Sequence, residues 1–199
     1  MALEGAAVRA GRVSYQDATR ALTPGDVLPL TEQLFATRES SAAEAADADV
    51  VFLPVDPAAR PSTTAPGADA DSGWTLGHVD AQVTAGREEM AAVGTTQARG
   101  VAGRARDATP WKMRTTTRQV RDRLAESRRL CLALRRAWPD TPHLAVVTVL
   151  IPRFGPLNTV GQTVRGIVHA AGSLAHLRAF LGHARMAQQH EEGASPGHR

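Results

Sequence analysis

The chain has 199 residues, of which 43% are hydrophobic and 22% are charged, as is usual for a soluble globular protein with one core. Its single cysteine excludes a disulfide within the chain, and no apolar run approaches the roughly 18 residues that a membrane span needs. The net charge is only +3, and no helical stretch combines a clustered basic face with stacking aromatics. We therefore expect a cytoplasmic protein with no nucleic-acid or membrane partner.

The first part of the chain predicts an N-terminal arm, one helix and a long connection. Residues 1–15 show no sustained hydrophobic period, which is typical of a tail or a loosely docked arm. Residues 23–26 (TPGD) are a helix-start signal, and the apolar spacing after them predicts a helix to about Ala48. The two prolines in residues 50–57 (VVFLPVDP) cannot continue a helix, and the Pro-rich residues 60–73 extend the connection.

Two further helices are predicted in the middle of the chain. Trp74 opens a helix that reaches about Gln97, and the glycines of residues 100–103 (GVAG) break it. After a loop, the segment from Thr115 to Trp138 predicts a third helix, because its apolar residues share one face.

The last part of the chain predicts a short apolar segment, a long helix and a tail. Residues 145–151 (AVVTVLI) are apolar and mostly β-branched, which indicates a short strand or an extended segment. Asn158 is a good N-cap for a fourth helix that continues to about Gln189, and residues 191–199 are typical of a disordered tail. We therefore predict an all-α protein, with an up-down four-helix bundle over residues 16–190 and long connecting loops.

Several ordered segments resemble the DinB/YfiT-like family of four-helix bundles. They are residues 74–100 (WTLGHVDAQVTAGREEMAAVGTTQARG), 51–59 (VFLPVDPAA), 123–129 (RLAESRR) and 158–185, with Asn158, Gly161, Gly166 and His169 in the spacing of the family's fourth helix. The resemblance covers roughly residues 20–188 and implies the bundle fold. The family includes metal-dependent thiol transferases and isomerases, together with many members of unknown activity.

The same resemblance places the family's three metal-ligand histidines at Gln82, His169 and Ser173 of this chain. An amide and a hydroxyl are poor replacements for imidazole at a catalytic metal site. We therefore expect no metal and no other cofactor. The alternative is that His78, one turn before Gln82 on the same helical face, forms a metal site together with His169.

Without a metal, the bundle interior is a natural site for a small molecule. His169 is the candidate general acid or base, because an imidazole titrates near neutral pH. Gln82 and Ser173 complete this candidate catalytic set by positioning the ligand through hydrogen bonds. The alternative is a satisfied polar cluster without a catalytic role.

Five further residues are candidates for binding the substrate. They are Trp74, His78, Lys112, Arg114 and Arg153. The last three predict a cationic rim for a carboxylate, phosphate or sulfate, because lysine and arginine side chains pair with such anions. The alternative is that these cations are only solvated.

Histidines recur every seven residues in the fourth helix, at positions 169, 176, 183 and 190. This spacing predicts one slowly drifting stripe, which suits either a metal or proton relay or a plainer arrangement. In the plainer one, His169 faces the bundle interior and the later histidines fan toward solvent near the helix end, where cations suit the dipole.

Two departures from the family pattern point toward contact surfaces. Asp80 stands where similar sequences have an aliphatic residue, on a face other than that of Gln82, and we expect it to contact a neighbouring segment or a second chain. The apolar residues 145–151 replace a polar connection, and they either pack on the bundle or bind a partner. A homo-oligomer or a heteromeric complex is therefore a second expectation.

Together these features predict a metal-independent DinB-like enzyme or enzyme subunit, lyase-like or transferase-like, that acts on a small anionic metabolite. Proton transfer with elimination or ring closure suits a basic pocket, as in the aziridine-forming sulfate elimination of azinomycin-like pathways. The Ala- and Arg-rich composition indicates a GC-rich genome and favours actinobacterial natural-product (antibiotic) biosynthesis. The alternatives are a non-catalytic binding or scaffold subunit and a metal-dependent thiol transferase or isomerase with altered ligands.

Overall fold

The computed structural model describes residues 7–8, 10–53, 75–103 and 114–193, without the side chains of residues 175, 176, 179, 180 and 190–193. The helices in this part of the chain are α1 (Tyr15–Thr19), α2 (Pro24–Ala43), α3 (Asp47–Val51), α4 (Leu76–Ala98), α5 (Thr117–Arg136) and α6 (Thr159–Gly193). A 3-10 turn, Pro152–Phe154, precedes α6, and the described residues form no strand. The predicted all-α class is therefore confirmed. No described helix is both long and apolar enough to cross a bilayer.

A side-chain oxygen accepts a backbone N–H at the start of each of the four long helices. The side-chain oxygens of Thr75, Thr116 and Asn158 each accept a backbone N–H from three residues on, at 3.3, 3.2 and 3.0 Å. At the start of α2, the Asp26 carboxylate accepts the Thr23 N–H at 2.8 Å. These bonds satisfy N–H groups that the first turn of a helix leaves without partners. The predicted N-cap role of Asn158 is confirmed.

Helix ends differ from the predicted ones in two places. The first long helix ends at Ala43 rather than near Ala48, because the short α3 starts a new cap in which the Asp49 carboxylate accepts the Ala46 N–H at 2.8 Å. The last two residues of α3 belong to the segment that was expected to lie outside a helix. At the other end of the chain, α6 continues to Gly193 and includes the first residues of the predicted tail.

The predicted N-terminal arm is part of the core where the structure describes it. Val8 and Tyr15 are buried in a cluster with Trp138 and with the first turns of α6. The Tyr15 ring also meets Phe154 edge-on, with 5.0 Å between the ring centroids. This segment is therefore docked rather than loose.

Helices α2 and α5 run antiparallel. Near the start of α5, Arg121 donates to the Ala43 carbonyl at the end of α2, at 3.2 Å. At the other end of α5, Arg135 donates to the Pro24 carbonyl at the start of α2. The beginning of one helix thus lies against the end of the other.

Helix α4 runs parallel to α5 and antiparallel to α6. Glu88 pairs with Arg123 at 2.7 Å, and further along both helices Thr95 donates to the Leu134 carbonyl at 3.0 Å. The Thr159 hydroxyl at the start of α6 donates to the carbonyl of Gly94 near the end of α4. Helices α2 and α6 therefore share one direction and α4 and α5 the other, so the predicted up-down alternation is not followed between α4 and α5.

The core consists mainly of aliphatic side chains, as the low aromatic content predicts. Two buried clusters fill the two ends of the helical assembly, one around Leu76, Leu124 and Leu181 and the other around Val27 and Val164. Glycines let α4 and α6 approach closely. A Cβ on Gly94 would overlap the Thr163 hydroxyl, and a Cβ on Gly166 would lie 2.8 Å from the Met90 Cβ.

The apolar segment 145–151 is extended. An isolated antiparallel bridge joins Thr148 to Leu157, and the Gln97 amide donates to the Leu157 carbonyl at 2.9 Å. Side chains alternate between two faces in extended backbone, so Val147 and Val149 point outward and are 53% and 54% exposed. Only one face of the segment therefore packs against the rest of the chain.

Candidate functional site

His169 lies on the face of α6 that packs against α4. A Cβ built on Gly86 would lie 3.9 Å from the His169 Cδ2, so the imidazole sits over a stretch of α4 that has no side chain. The ring is exposed to solvent, which corrects the expectation that it faces the bundle interior. Because α4 and α6 approach closely, an imidazole fits only at the edge of their contact.

Gln82 lies one turn before Gly86 on α4, and Ser173 lies one turn after His169 on α6. In the antiparallel register of α4 and α6, one further turn on each helix brings Gln82 opposite Ser173. Gln82 is half-buried and Ser173 is buried. The Ser173 hydroxyl donates a hydrogen bond to the His169 carbonyl at 3.2 Å, so its donor already has a partner within α6. The three predicted positions therefore share one stretch of the α4–α6 contact.

His78 belongs to the cap of α4. Its Nδ1 accepts the Thr75 N–H at 3.3 Å and lies 2.9 Å from the Thr75 hydroxyl oxygen. Partial burial lowers the pKa of its imidazole. Among the described residues, no three His, Cys, Asp or Glu side chains come together as a group able to hold a metal ion.

The arginines of the predicted cationic rim lie in different places. Arg114 packs its backbone on Gly77 at the start of α4, where a Cβ would overlap the Arg114 carbonyl oxygen. Arg153 lies just before α6, with its guanidinium 4.5 Å from the centre of the Phe154 ring. Because α4 and α6 are antiparallel, the main chains of these two residues lie near opposite ends of the pair. Trp74 and Lys112 lie outside the described residues.

Arg87 is an almost completely buried cation that the sequence analysis did not single out. Its Nη2 donates to the Thr31 hydroxyl at 2.8 Å, while its Nε and Nη1 have no hydrogen-bond partner among the described residues. Within the described part of the chain, no carboxylate forms an ion pair with it. The neighbouring Cys131 thiol is also buried, and this burial raises the pKa of the thiol against the opposite effect of the Arg87 charge.

Arg165 is a second buried cation of the α4–α6 contact. Its guanidinium contacts the Met90 sulfur and lies 5.5 Å from the centre of the Phe154 ring, on which Arg153 also stacks. In the part of the chain that the structure describes, its Nε has no hydrogen-bond partner. Burial lowers the pKa of Arg165, and the charge of Arg153 acts in the same direction.

Arg38 and Asp80 form a buried ion pair between α2 and α4. Arg38 Nη2 and Asp80 Oδ1 are 3.0 Å apart, and both side chains are 2% exposed. Burial raises the pKa of the Asp80 carboxyl, while the charges of Arg38, Arg114 and Arg123 act against that change. The expected contact of Asp80 is therefore made within the chain, to a neighbouring helix.

The pKa of the His169 imidazole is lowered. Loss of water around the helix contact lowers the pKa of its imidazole, and the positive charges of Arg165, Arg38 and Arg153 lower it further. The exposure of the ring limits the first effect, since water still reaches it. At neutral pH the imidazole is accordingly neutral and can accept a proton.

A sequence signal for the buried arginines does exist. Arg87 follows Val83 by four residues on the apolar face of α4, and Arg165 follows Val164 and Gly161 on the buried part of α6. A charged residue in phase with an apolar stripe predicts a buried charge.

Comparisons with protein-family models, curated proteins and solved structures found no match to this chain.

Proposed function

We propose that the chain is a DinB/YfiT-like enzyme or enzyme subunit that acts on a small anionic metabolite, with His169 as the proton acceptor and without a metal. One observation carries this proposal. The imidazole of His169 lies at the α4–α6 contact, where loss of water and then the positive charges of Arg165, Arg38 and Arg153 lower its pKa. A neutral base beside arginines suits a substrate that brings a negative group and loses a proton.

The buried arginines support the choice of an anionic substrate. Arg87 and Arg165 have guanidinium N–H groups without partners among the described residues, and an unpaired buried cation destabilises the fold. A guanidinium keeps its proton at any working pH, so the positive charge of these arginines favours an anion at the helix contact. Sulfate and phosphate groups match the planar fork of an arginine.

A reaction of this class is ring closure in a 2-aminoalkyl sulfate. The nitrogen lone pair forms a new C–N bond, the C–O bond to sulfate breaks, and the sulfate leaves with the bonding electrons. His169 accepts the proton that the nitrogen loses. The arginines stabilise the charge that develops on the leaving group, which is where such electrostatic effects contribute most. A place in natural-product biosynthesis is part of the same proposal.

The first experiment is an NMR titration of the His169 imidazole with and without sulfate. We expect its pKa to lie below the ordinary value of about 6.5 and to rise when sulfate binds, because the anion offsets the nearby positive charge. If sulfate and phosphate leave the His169 titration unchanged, the anion site is wrong.

A second experiment compares His169→Gln with the matched variant His183→Gln in sulfate release from 2-aminoalkyl sulfates. We expect His169→Gln to lose turnover by about a hundredfold, as is usual for removal of a general base, with sulfate binding intact. His183→Gln should behave like the native chain. Equal turnover in both variants would exclude His169 as the base.

One observation favours a second candidate function, that of a partner-binding subunit. The outward face of the extended segment 145–151 presents Val147, Val149 and Ile151 at alternate positions. Light scattering on a sizing column tests this candidate. A native oligomer that Val147→Thr and Val149→Thr together convert to a monomer supports it, and an unchanged native monomer counts against it.

A further inference from the structure

Two buried glutamines hold the extended segment 145–151 against the helices. The Gln97 amide of α4 donates to the carbonyls of Leu157 at 2.9 Å and of Val146 at 3.4 Å. The Gln162 amide of α6 donates to the Thr148 carbonyl at 3.0 Å. The two glutamines are 0% and 1% exposed. Because water does not compete with these bonds, they fix the backbone of the segment in one conformation.

Only one backbone edge of the segment is paired. Thr148 donates to the Leu157 carbonyl at 3.0 Å and accepts the Leu157 N–H at 3.1 Å, so its backbone groups face Leu157. Neighbouring residues of an extended chain point their N–H and C=O groups to opposite edges, so those of Val147 and Val149 point away from Leu157. Within the described part of the chain these groups form no hydrogen bond. The outer edge therefore offers two donors and two acceptors.

The segment lacks the sequence features that keep strand edges apart. Residues 144–151 (LAVVTVLI) contain no charged residue and no proline. Edge strands of monomeric proteins commonly carry lysines, prolines or inward-pointing charges, which prevent a second strand from adding to the edge. Here the side chains of Val147 and Val149 are β-branched, which suits paired strands, and are more than half exposed. The outer edge is therefore suited to strand addition.

The outer edge is complementary to a second copy of itself. Two such segments that run antiparallel about a two-fold axis at Thr148 place Val147 of each chain opposite Val149 of the other. Each of these opposed pairs exchanges two hydrogen bonds, which uses every free donor and acceptor of both edges. The opposed valine side chains also contact each other across the strands. Because the inner edge of each segment is already paired, the addition stops at two chains.

We propose that the outer edge of segment 145–151 pairs with the same edge of a second copy of this chain, in an antiparallel dimer centred on Thr148. This inference rests on the partner-binding function proposed above and names the partner. Gln97 and Gln162 fix each segment before the chains meet, so pairing costs little conformational entropy. The proposed reaction at His169 does not depend on it.

The first test is amide hydrogen exchange in the full ¹⁵N-labelled chain at about 1 mM and after dilution, with light scattering to measure its mass. In the dimer, the Val147 and Val149 amides should exchange at least about tenfold more slowly than in the monomer, because both N–H groups become hydrogen-bonded. The Thr148 amide is the internal control, since it donates to Leu157 within each chain. Its exchange should change by less than about twofold.

A proline substitution tests the hydrogen bonds of the edge directly. Val149→Pro removes one N–H from each chain, and that N–H has no partner in the described part of the chain. We expect dimerisation to weaken by at least about tenfold, with the urea midpoint of the monomer unchanged. Val149→Ile is the matched control, because it keeps both the N–H and the β-branched side chain. It should change the dimerisation constant by less than about threefold.

The outcomes separate this inference from the function on which it rests. An oligomer in which Val147 and Val149 exchange freely, or a dimer that Val149→Pro leaves intact, would overturn strand pairing and leave the partner-binding function in place. A chain that stays monomeric at about 1 mM, as pairing with a strand of a different protein would require, would overturn the second copy as the partner. A dimer with slow exchange at both valines, which Val149→Pro dissociates, supports the proposal.

Discussion

Replacing Asp80 by alanine should strongly destabilise the protein. The change leaves the Arg38 guanidinium buried without a counter-charge, because the two groups are 3.0 Å apart and both are 2% exposed. Loss of one partner from a buried pair costs about 3–5 kcal/mol. In a chain of this length, each kcal/mol shifts the melting temperature by about 2–4 °C, so we expect a fall of roughly 6–20 °C.

The assay is urea unfolding followed by circular dichroism, with a double-mutant cycle at the pair. Asp80→Leu and Arg38→Met should each be destabilising alone, whereas together they should be neutral or stabilising, because no charge then lies buried. Glu39→Ala is the control, since it breaks a partly exposed pair with Arg128 and should cost less than about 1 kcal/mol.

The outcome that refutes this reasoning is a small effect. If the free energy of unfolding of Asp80→Ala lies within about 1 kcal/mol of that of the native chain, the carboxylate does not compensate a buried charge, and water must reach Arg38. If the loss in the double variant equals the sum of the losses in the two single variants, the pair acts through packing alone. The coupling energy is then near zero, which distinguishes this case from the expected one.

Three further predictions concern the α4–α6 contact and the buried charges. Gly94→Ala should destabilise the fold by about 1–3 kcal/mol, because its Cβ would overlap the Thr163 hydroxyl, whereas Gly182→Ala, with nothing within 4 Å, should stabilise it by up to about 1 kcal/mol in urea unfolding. Arg87→Met should raise the urea midpoint, because it removes a buried cation, and a fall would show that a compensating group exists. The lowered pKa of His169 contributes stability above pH of about 6.5 that is lost as the pH falls toward the folded-state pKa, and His169→Gln should lack this loss in urea midpoints measured against pH.

The sequence predicts the helices well because their signals are local. Asn158 is an N-cap in the structure as predicted, and the start of α2 follows the capping residues 23–26. The end of α2 was wrong by several residues because a second cap, at Ala46, interrupts a pattern that remains compatible with helix. Helix directions were not predictable from periodicity, since the same apolar stripe packs equally well in a parallel or an antiparallel pair.

The candidate site was predicted only in part. The sequence places His169, Gln82 and Ser173 on two helices, and the structure brings these positions into neighbouring turns of one contact. It did not predict the exposure of His169, because that depends on how closely Gly86 lets the two helices approach. Nor did it predict that the Ser173 hydroxyl donates a hydrogen bond to the His169 carbonyl of the preceding turn.

The buried arginines connect the stability of this fold to its proposed ligands. Arg38, Arg87 and Arg165 are almost fully buried, and of these only Arg38 forms an ion pair within the described residues. Apolar side chains of similar volume would make a more stable core, so these cations weaken the unliganded protein. A bound anion that offsets their positive charge binds the folded chain only, and at a hundred times its Kd it would add about 2.7 kcal/mol of stability. Ligand binding and folding should therefore be linked through the same guanidinium groups.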